Sequence, residues 1–400
     1  MRAPKRFAAH LLFSTLTMVI GAAPLRAQPM PIIRLDGSTI APSRIDATVT
    51  QAMNAARVTG VGIAIFNDGK VVYLKAYGVR DRKEHLPLNS DSVMTAASLT
   101  KPVFATMVMQ LVQERMIDLD RPVYEYLPKP LPDYPAYKDL AGDPRYKQIT
   151  MRMLLDHTSG LPNWRRFTDD KKLRIYFSPG SRFAYSGEGI VLAQMVVETV
   201  TKKSVDELMK QYIYQPLGMT RSSMVWESRF EDNYANGYDE QGKSLGPERR
   251  REGDAAGSMQ TTLRDYARFV QAVLDGTIPD KKARKLMLSP QIQIVSKHEF
   301  PSLSSERTTE NRAIHLSYGL GWGLYWTRYG KAFFKEGHDE GWRHYVICFD
   351  GPKTGILIMT NSSNGEDMYS GLLDSLLRDT FTPLEWEGFK PSASTNRSYP

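Results

Sequence analysis

Along this chain the apolar positions recur first at strand spacing, then at helix spacing, then at strand spacing again. Residues 42 to 56 predict a helix that opens the domain. The segment VGIAIFNDGKVVYLKAYG (61 to 78) holds two apolar runs around the turn NDGK, the pattern of a hairpin that begins a sheet. Between residues 98 and 290 the texture is helical, with Val103, Phe104, Met107, Val108, Leu111 and Val112 on one repeating spacing. Further helical runs lie at 150 to 155, 188 to 200, 204 to 214 and 262 to 274. From about 317 strands return as YGLGWGLYW, RHYVICFD, the turn GPKT and GILIMTN, followed by a helix near 366 to 379. The pattern describes a split sheet with a helical insertion: a sheet lobe at about 45–95 and 315–380, and a helical lobe at about 96–300. The polar end, KPSASTNRSYP, has the composition of a disordered tail, which is placed at 386–400.

Composition narrows the class without changing this layout. Four hundred residues with 42% hydrophobic and 24% charged positions form an ordinary globular chain and exclude collagen, a coiled coil and a disordered polymer. Residues 1–27 read as a signal peptide: a basic start, the apolar run LLFSTLTMVIGAA and the small residue Ala27, with the run shorter than the roughly 20 apolar residues of a spanning helix. Export, a periplasmic location and no stable membrane insertion after cleavage are therefore expected, with the mature hydrolase domain at 28–385. Of the formal charge of +8, Arg2, Lys5, Arg6 and Arg26 supply four, and the +4 left on the rest is too mild to argue for nucleic acid. A lone Cys348 inside YVICF reads as core, and seven histidines without an i,i+4 pair offer no metal cage, so neither cofactor nor metal is expected.

Three short elements carry the candidate chemistry. Ser98-Leu99-Thr100-Lys101 stands at the head of the first long helical run, where residues at i and i+3 share a face and the helix N-terminus favours negative charge on an attacked substrate. The same dipole disfavours an ammonium and helps Lys101 act as a neutral base. PGSRFAYSGEG (179 to 189) presents Tyr185, Ser186 and Gly187 before another helix. FFKEGHDEGWRHY ends one strand at His338 and begins the next at Gly341 and Trp342. Lys353-Thr354-Gly355 spells a further motif of penicillin-recognising enzymes but lies in a hairpin turn. No Gly-x-Ser-x-Gly elbow is present, which sets aside an α/β-hydrolase.

Around these elements, LLDHTSGLPNW (154 to 164), PGSRFAYS, QPLGM (215 to 219), DAAGSMQTTLRDYARF (254 to 269) and GILIMTNSSNG (355 to 365) resemble the serine β-lactamase-related family. That group includes class C β-lactamases, D-alanyl-D-alanine carboxypeptidases, D-aminopeptidases and family VIII esterases. The resemblance covers most of residues 45 to 380 and implies an α+β fold of the β-lactamase/transpeptidase type, an antiparallel sheet flanked by helices plus an all-α lobe, with the site between them. It implies Ser98 as nucleophile, Lys101 as its proton acceptor and Tyr185 as a second acid/base. The oxyanion hole it implies uses the N–H of Ser98 and one from the strand segment after His338. The third motif is assigned to His338 rather than Lys353, because GILIMTN follows that motif by a full strand and Lys353 adjoins it directly.

Two departures from the family pattern bear on substrate. Gly187 stands where the family usually has Asn, and His338-Asp339-Glu340-Gly341 places Glu where a Gly belongs, a side chain able to crowd the oxyanion hole. Gly187, Gly341, Trp342 and Arg343 are the expected substrate-binding positions, with Arg343 supplying charge if it faces the cleft. Trp164, Trp322, Trp326 and Trp342 are candidates for an apolar acyl pocket. A neutral His338 offers no fixed charge to a substrate carboxylate, so the expectation is an exported serine hydrolase leaning toward esters. A β-lactamase or D-amino-acid peptidase of the same family is the alternative, and a silent peptidoglycan- or peptide-binding protein the alternative from another class. The expected partners are small-molecule esters, β-lactams or D-amino-acid peptides.

Overall fold

The computed structural model describes Met1 and residues 31–389; the expected signal segment and residues 390–400 lie outside the described residues. The NDGK turn forms as the sequence requires, with Asp68 and Gly69 both at left-handed φ of 49° and 70°. It joins β1 (Gly60–Asn67) to β2 (Lys70–Asp81), which is followed by the short β3 (Leu86–Pro87). The later strands are β4 (Ile292–Gln293), β5 (Ser317–Tyr318), β6 (Gly323–Thr327), β7 (Gly330–Asp339), β8 (Trp342–Phe349) and β9 (Thr354–Thr360). They form one antiparallel sheet in the order β4-β5-β6-β7-β8-β9-β1-β2-β3, so the N-terminal hairpin pairs with the C-terminal strands through β9 and β1. The sheet lobe thus begins at Ile292 rather than at the expected 315, because β4 pairs with β5.

The central strands β8, β9 and β1 are buried along their whole length. A strand buried on both faces reads as a continuous apolar run, and its alternate residues feed two separate cores. Val61, Ile63 and Ile65 of β1 pack with Ile45 and Val49 of α1 (Pro42–Ala55) and with the C-terminal Leu372, Leu373 and Leu376. Ala64 and Phe66 face the helical lobe, where α2 (Thr100–Gln113) is buried on nearly every side, as an apolar helix inside a large core must be. That lobe also contains α3 (Met151–Leu155), α4 (Gly187–Thr201) and α5 (Leu263–Asp275). Among the described residues no helix is long and apolar enough to cross a membrane.

The ordered chain runs further than the composition of its end suggests. Trp386, Glu387 and Phe389, expected in the disordered tail, are buried. Phe389 packs on Tyr345 and Tyr369, Trp386 packs on Phe183, and the Trp386 carbonyl accepts from Glu299 N–H at 2.9 Å. Large aromatic side chains hold this segment down although polar residues surround it in sequence.

Candidate active site

Ser98 occupies a single tight turn, Ala97–Leu99, that leads straight into α2. Ala97 takes a left-handed φ of 49°, a costly conformation for a residue with a Cβ, and several bonds hold it there. Thr100 Oγ1 donates to the Ala97 carbonyl at 2.7 Å and accepts from Met259 N–H at 3.2 Å. One helical turn on, Lys101 Nζ lies 2.8 Å from Ser98 Oγ and donates to the Ala256 carbonyl at 2.6 Å. The spacing of serine and lysine thus places both on one face, as i,i+3 residues should lie.

Tyr185 comes from the loop that caps α4. Ser186 is the N-cap, its Oγ accepting from Gly189 N–H at 2.8 Å and donating to the Pro162 carbonyl at 2.9 Å. Ser186 N–H donates to Nδ1 of the fully buried His157 at 3.2 Å, which fixes the loop from below. The His157 ring lies 4.5 Å from that of Tyr185. Lys101 Nζ and Lys335 Nζ stand 5.0 and 4.7 Å from the centre of the Tyr185 ring. The Tyr185 hydroxyl is buried without a hydrogen-bond partner of good geometry among the described residues, and the nearby Ser98 hydroxyl acts to lower its ionisation range.

Gly187 is held by a different loop, donating its N–H to Asn163 Oδ1 at 3.1 Å. A Cβ at this position would come within 2.6 Å of the Trp164 ring, so the side chain missing at 187 makes room for Trp164. Asn163 and Trp164 line the cleft in its place.

The third wall is β7, and here the structure departs from the sequence reading. Lys335, not His338, faces Tyr185, and Gly337 follows it by two residues. A Cβ on Gly337 would lie 2.8 Å from the Ala96 carbonyl, so glycine is what lets β7 approach the Ser98 turn. Lys335-Glu336-Gly337 therefore occupies the place assigned to His338, and Glu340, expected to crowd the site, lies exposed in the following turn and lines the cleft from there. His338 lines the cleft with a half-exposed ring 3.6 Å from Glu366. Partial burial and the Arg343 charge hold that ring below the ordinary imidazole range.

The expected substrate contacts at the start of β8 turn elsewhere. Gly341 donates to Ser363 Oγ at 2.8 Å, and Trp342 is buried beside Gly237 and His344. Arg343 is buried, its Nε donating to Glu366 at 2.9 Å and its Nη1 to both the Asp339 and Trp342 carbonyls. None of the three is among the lining residues, because each is committed to packing or pairing around the β7–β8 turn. Of the four tryptophans, Trp164 alone lines the cleft, while Trp322 is stacked on Phe269 in the core. Lys353 sits in the β8–β9 turn at the end of β9 remote from His338, which pairs with Arg343.

The cleft has a volume of about 650 Å³ and is lined by Ser98, Lys101, Tyr185, Glu299, Glu336 and His338, among others. Burial, then the like charge of Lys335, lowers Lys101 to about 7, so the amine is poised to be neutral near physiological pH. Burial, then the Glu336 charge, raises Tyr185 well above the usual phenol range and keeps it protonated. Burial opposes the charge on Lys335 too, but Glu336, Tyr318 and Glu299 outweigh it and raise that amine. This arrangement brings a serine hydroxyl, an amine lowered to about 7 and a protonated phenol into one cleft, a set suited to nucleophilic catalysis.

Comparison with known proteins gives a consistent picture. The family profile described as Beta-lactamase matches residues 45–376. Esterase EstB of Burkholderia gladioli is 30% identical over 217 residues, covering 48% of this chain and 53% of that protein. A beta-lactamase of Yersinia enterocolitica is 26% identical over 296 residues, covering 70% and 68%. The octameric penicillin-binding protein homologue from Pyrococcus abyssi superposes with a TM-score of 0.67 at 23% identity, over 84% of this chain and 79% of that one, and shares the fold.

Proposed function

The chain belongs to the beta-lactamase family of serine hydrolases, and from that premise we propose that it cleaves esters through an acyl-enzyme on Ser98. The observation that carries this reading is Lys101 Nζ at 2.8 Å from Ser98 Oγ, with burial holding the amine at about 7. In the proposed sequence Ser98 Oγ attacks the substrate carbonyl carbon as its proton passes to neutral Lys101. The oxyanion is received by the Ser98 N–H and an N–H at the end of β7, the strand that Gly337 brings against the nucleophile turn. Tyr185, a neutral phenol, donates its proton to the leaving oxygen and regains one from Lys101, so the amine and phenol end as they began. Water then attacks the acyl carbon by the reverse route and Ser98 recovers its proton.

Export to the periplasm is part of the proposal and rests on residues 1–27 alone. The similarity to esterase EstB supports the ester preference. Lys335 beside Tyr185 favours a second reading, hydrolysis of carboxylate-bearing β-lactams or D-amino-acid peptides, because a buried ammonium attracts an anion. A panel of p-nitrophenyl esters, nitrocefin and D-amino-acid amides on purified protein separates the two. Higher kcat/KM for p-nitrophenyl butyrate than for nitrocefin is expected, and the opposite ranking refutes the ester preference. Failure of a fluorophosphonate to label Ser98 would instead favour a silent binding protein.

A further inference from the structure

We propose that Glu336 is a specificity residue: its carboxylate occupies the place beside Lys335 that a substrate carboxylate would take, and so restricts this cleft to substrates whose acyl group is uncharged. The inference rests on the acyl-enzyme reading of Ser98 and adds a substrate class to it. Lys335 is the buried cation opposite the nucleophile, its side chain 1% exposed and its Nζ 4.7 Å from the Tyr185 ring centre. Glu336 lines the cleft and Lys335 does not, so an entering molecule meets Glu336, the partner of the ammonium, before Lys335 itself. Lys335 Nζ donates to that carboxylate and, at 3.1 Å, to the Glu336 backbone carbonyl. An incoming anion would have to displace a partner tethered at the adjacent residue, whose effective concentration far exceeds that of a free substrate.

The neighbouring groups close the other routes for an anion. Glu299 and Glu387 line the same cleft, more than nine-tenths buried, each with a carboxyl oxygen that has no hydrogen-bond partner among the described residues. A displaced Glu336 carboxylate would meet these acids, and the other amine of the cleft, Lys101 at about 7, is no fixed positive charge. Arg343 is tied to Glu366, and Arg250 is paired with Glu248 and lies 3.6 Å from Asp339. Arg166 stacks 4.8 Å over the Trp164 and Phe167 rings and is exposed to solvent, where water and salt screen its charge. An uncharged acyl group meets none of this opposition and finds Trp164, Phe300 and Phe389 along the cleft.

The test compares p-nitrophenyl hexanoate with p-nitrophenyl hydrogen adipate, acyl chains of equal length that differ by a terminal carboxylate. Wild type should favour the neutral ester in kcat/KM by about tenfold or more, since like charges across a desolvated contact repel strongly. Glu336→Gln should narrow that ratio by about tenfold, and adding Lys335→Gln to it should cancel the gain. A ratio near one in wild type overturns the proposal whether or not the variants fold, as does an unchanged ratio in a folded Glu336→Gln. Hydrolysis of the neutral ester that survives Ser98→Ala would instead remove the acyl-enzyme reading, a separate failure.

Discussion

Two lysines are buried in the same corner of this cleft and end in opposite electrostatic states. Lys101, at the head of α2, has a serine hydroxyl and a backbone carbonyl for partners, and burial brings its amine down to about 7. Lys335, on β7, has the Glu336 carboxylate, and its amine is raised despite equal burial. The counter-ion, not the depth, decides whether a buried ammonium keeps its proton. One lysine is thereby suited to accept a proton from Ser98, and the other to be a fixed charge that the fold itself neutralises. In the proposed mechanism the helical lobe supplies the chemistry, and β7, inside the sheet, supplies the discrimination.

The comparison can be broken by substitution, beginning with the largest expected effect. Ser98→Ala should lower kcat by on the order of 10³-fold or more while leaving the fold intact, because loss of the nucleophile removes the covalent step. Near wild-type turnover in that variant on any accepted substrate would end the account. Lys101→Met should cost ~10² in kcat through loss of the base. Removing the other lysine should act on stability instead: Lys335→Met leaves Glu336 buried without its partner, at a cost of about 3 kcal/mol. Denaturant unfolding of the two methionine variants checks the contrast, since Lys101 lacks a carboxylate partner and its loss should destabilise the fold less. The smallest effects belong to the motif residues that the structure moves away from the centre. His338→Ala should change kcat/KM by less than about tenfold, being half-exposed against Glu366, and Lys353→Ala in its hairpin turn should behave as wild type.

Much of this architecture is written in local pattern. The NDGK hairpin, the apolar β8 and β9 and the buried α2 follow from periodicity and turn chemistry, and the i,i+3 spacing of Ser98 and Lys101 brings them together without help from the rest of the chain. What the sequence concealed depends on distant contacts. Lys335-Glu336-Gly337 is legible as Lys-x-Gly inside an otherwise apolar strand, yet His338, with its Gly one residue later at 341, competes with it for the same assignment. Only the approach of Ala96 to Gly337 distinguishes them. The carboxamide beside Gly187 comes from Asn163 on another loop, and Trp164 fills the gap, neither of which the spacing of Tyr185 and Gly187 reveals. Arg343 reads as a free cation in the sequence, but Glu366, from the segment after β9, pairs with it. The tail was misplaced for a related reason, since the aromatic residues that receive Phe389 lie on β8 and on the C-terminal helix.

The pH dependence of covalent labelling tests the central claim most directly, because it reads the nucleophile and its base together. Lys101 accepts a proton only when neutral, and with its folded value at about 7 the neutral fraction grows as pH rises. The rate of fluorophosphonate attachment, with the modified peptide identified by mass spectrometry, should therefore climb through about pH 7 and place the adduct on Ser98. Lys101→Met should lose that climb. A label on another residue, or a rate on Ser98 that stays flat from pH 5 to 9 in wild type, would contradict the assignment of Ser98 and Lys101 as nucleophile and base.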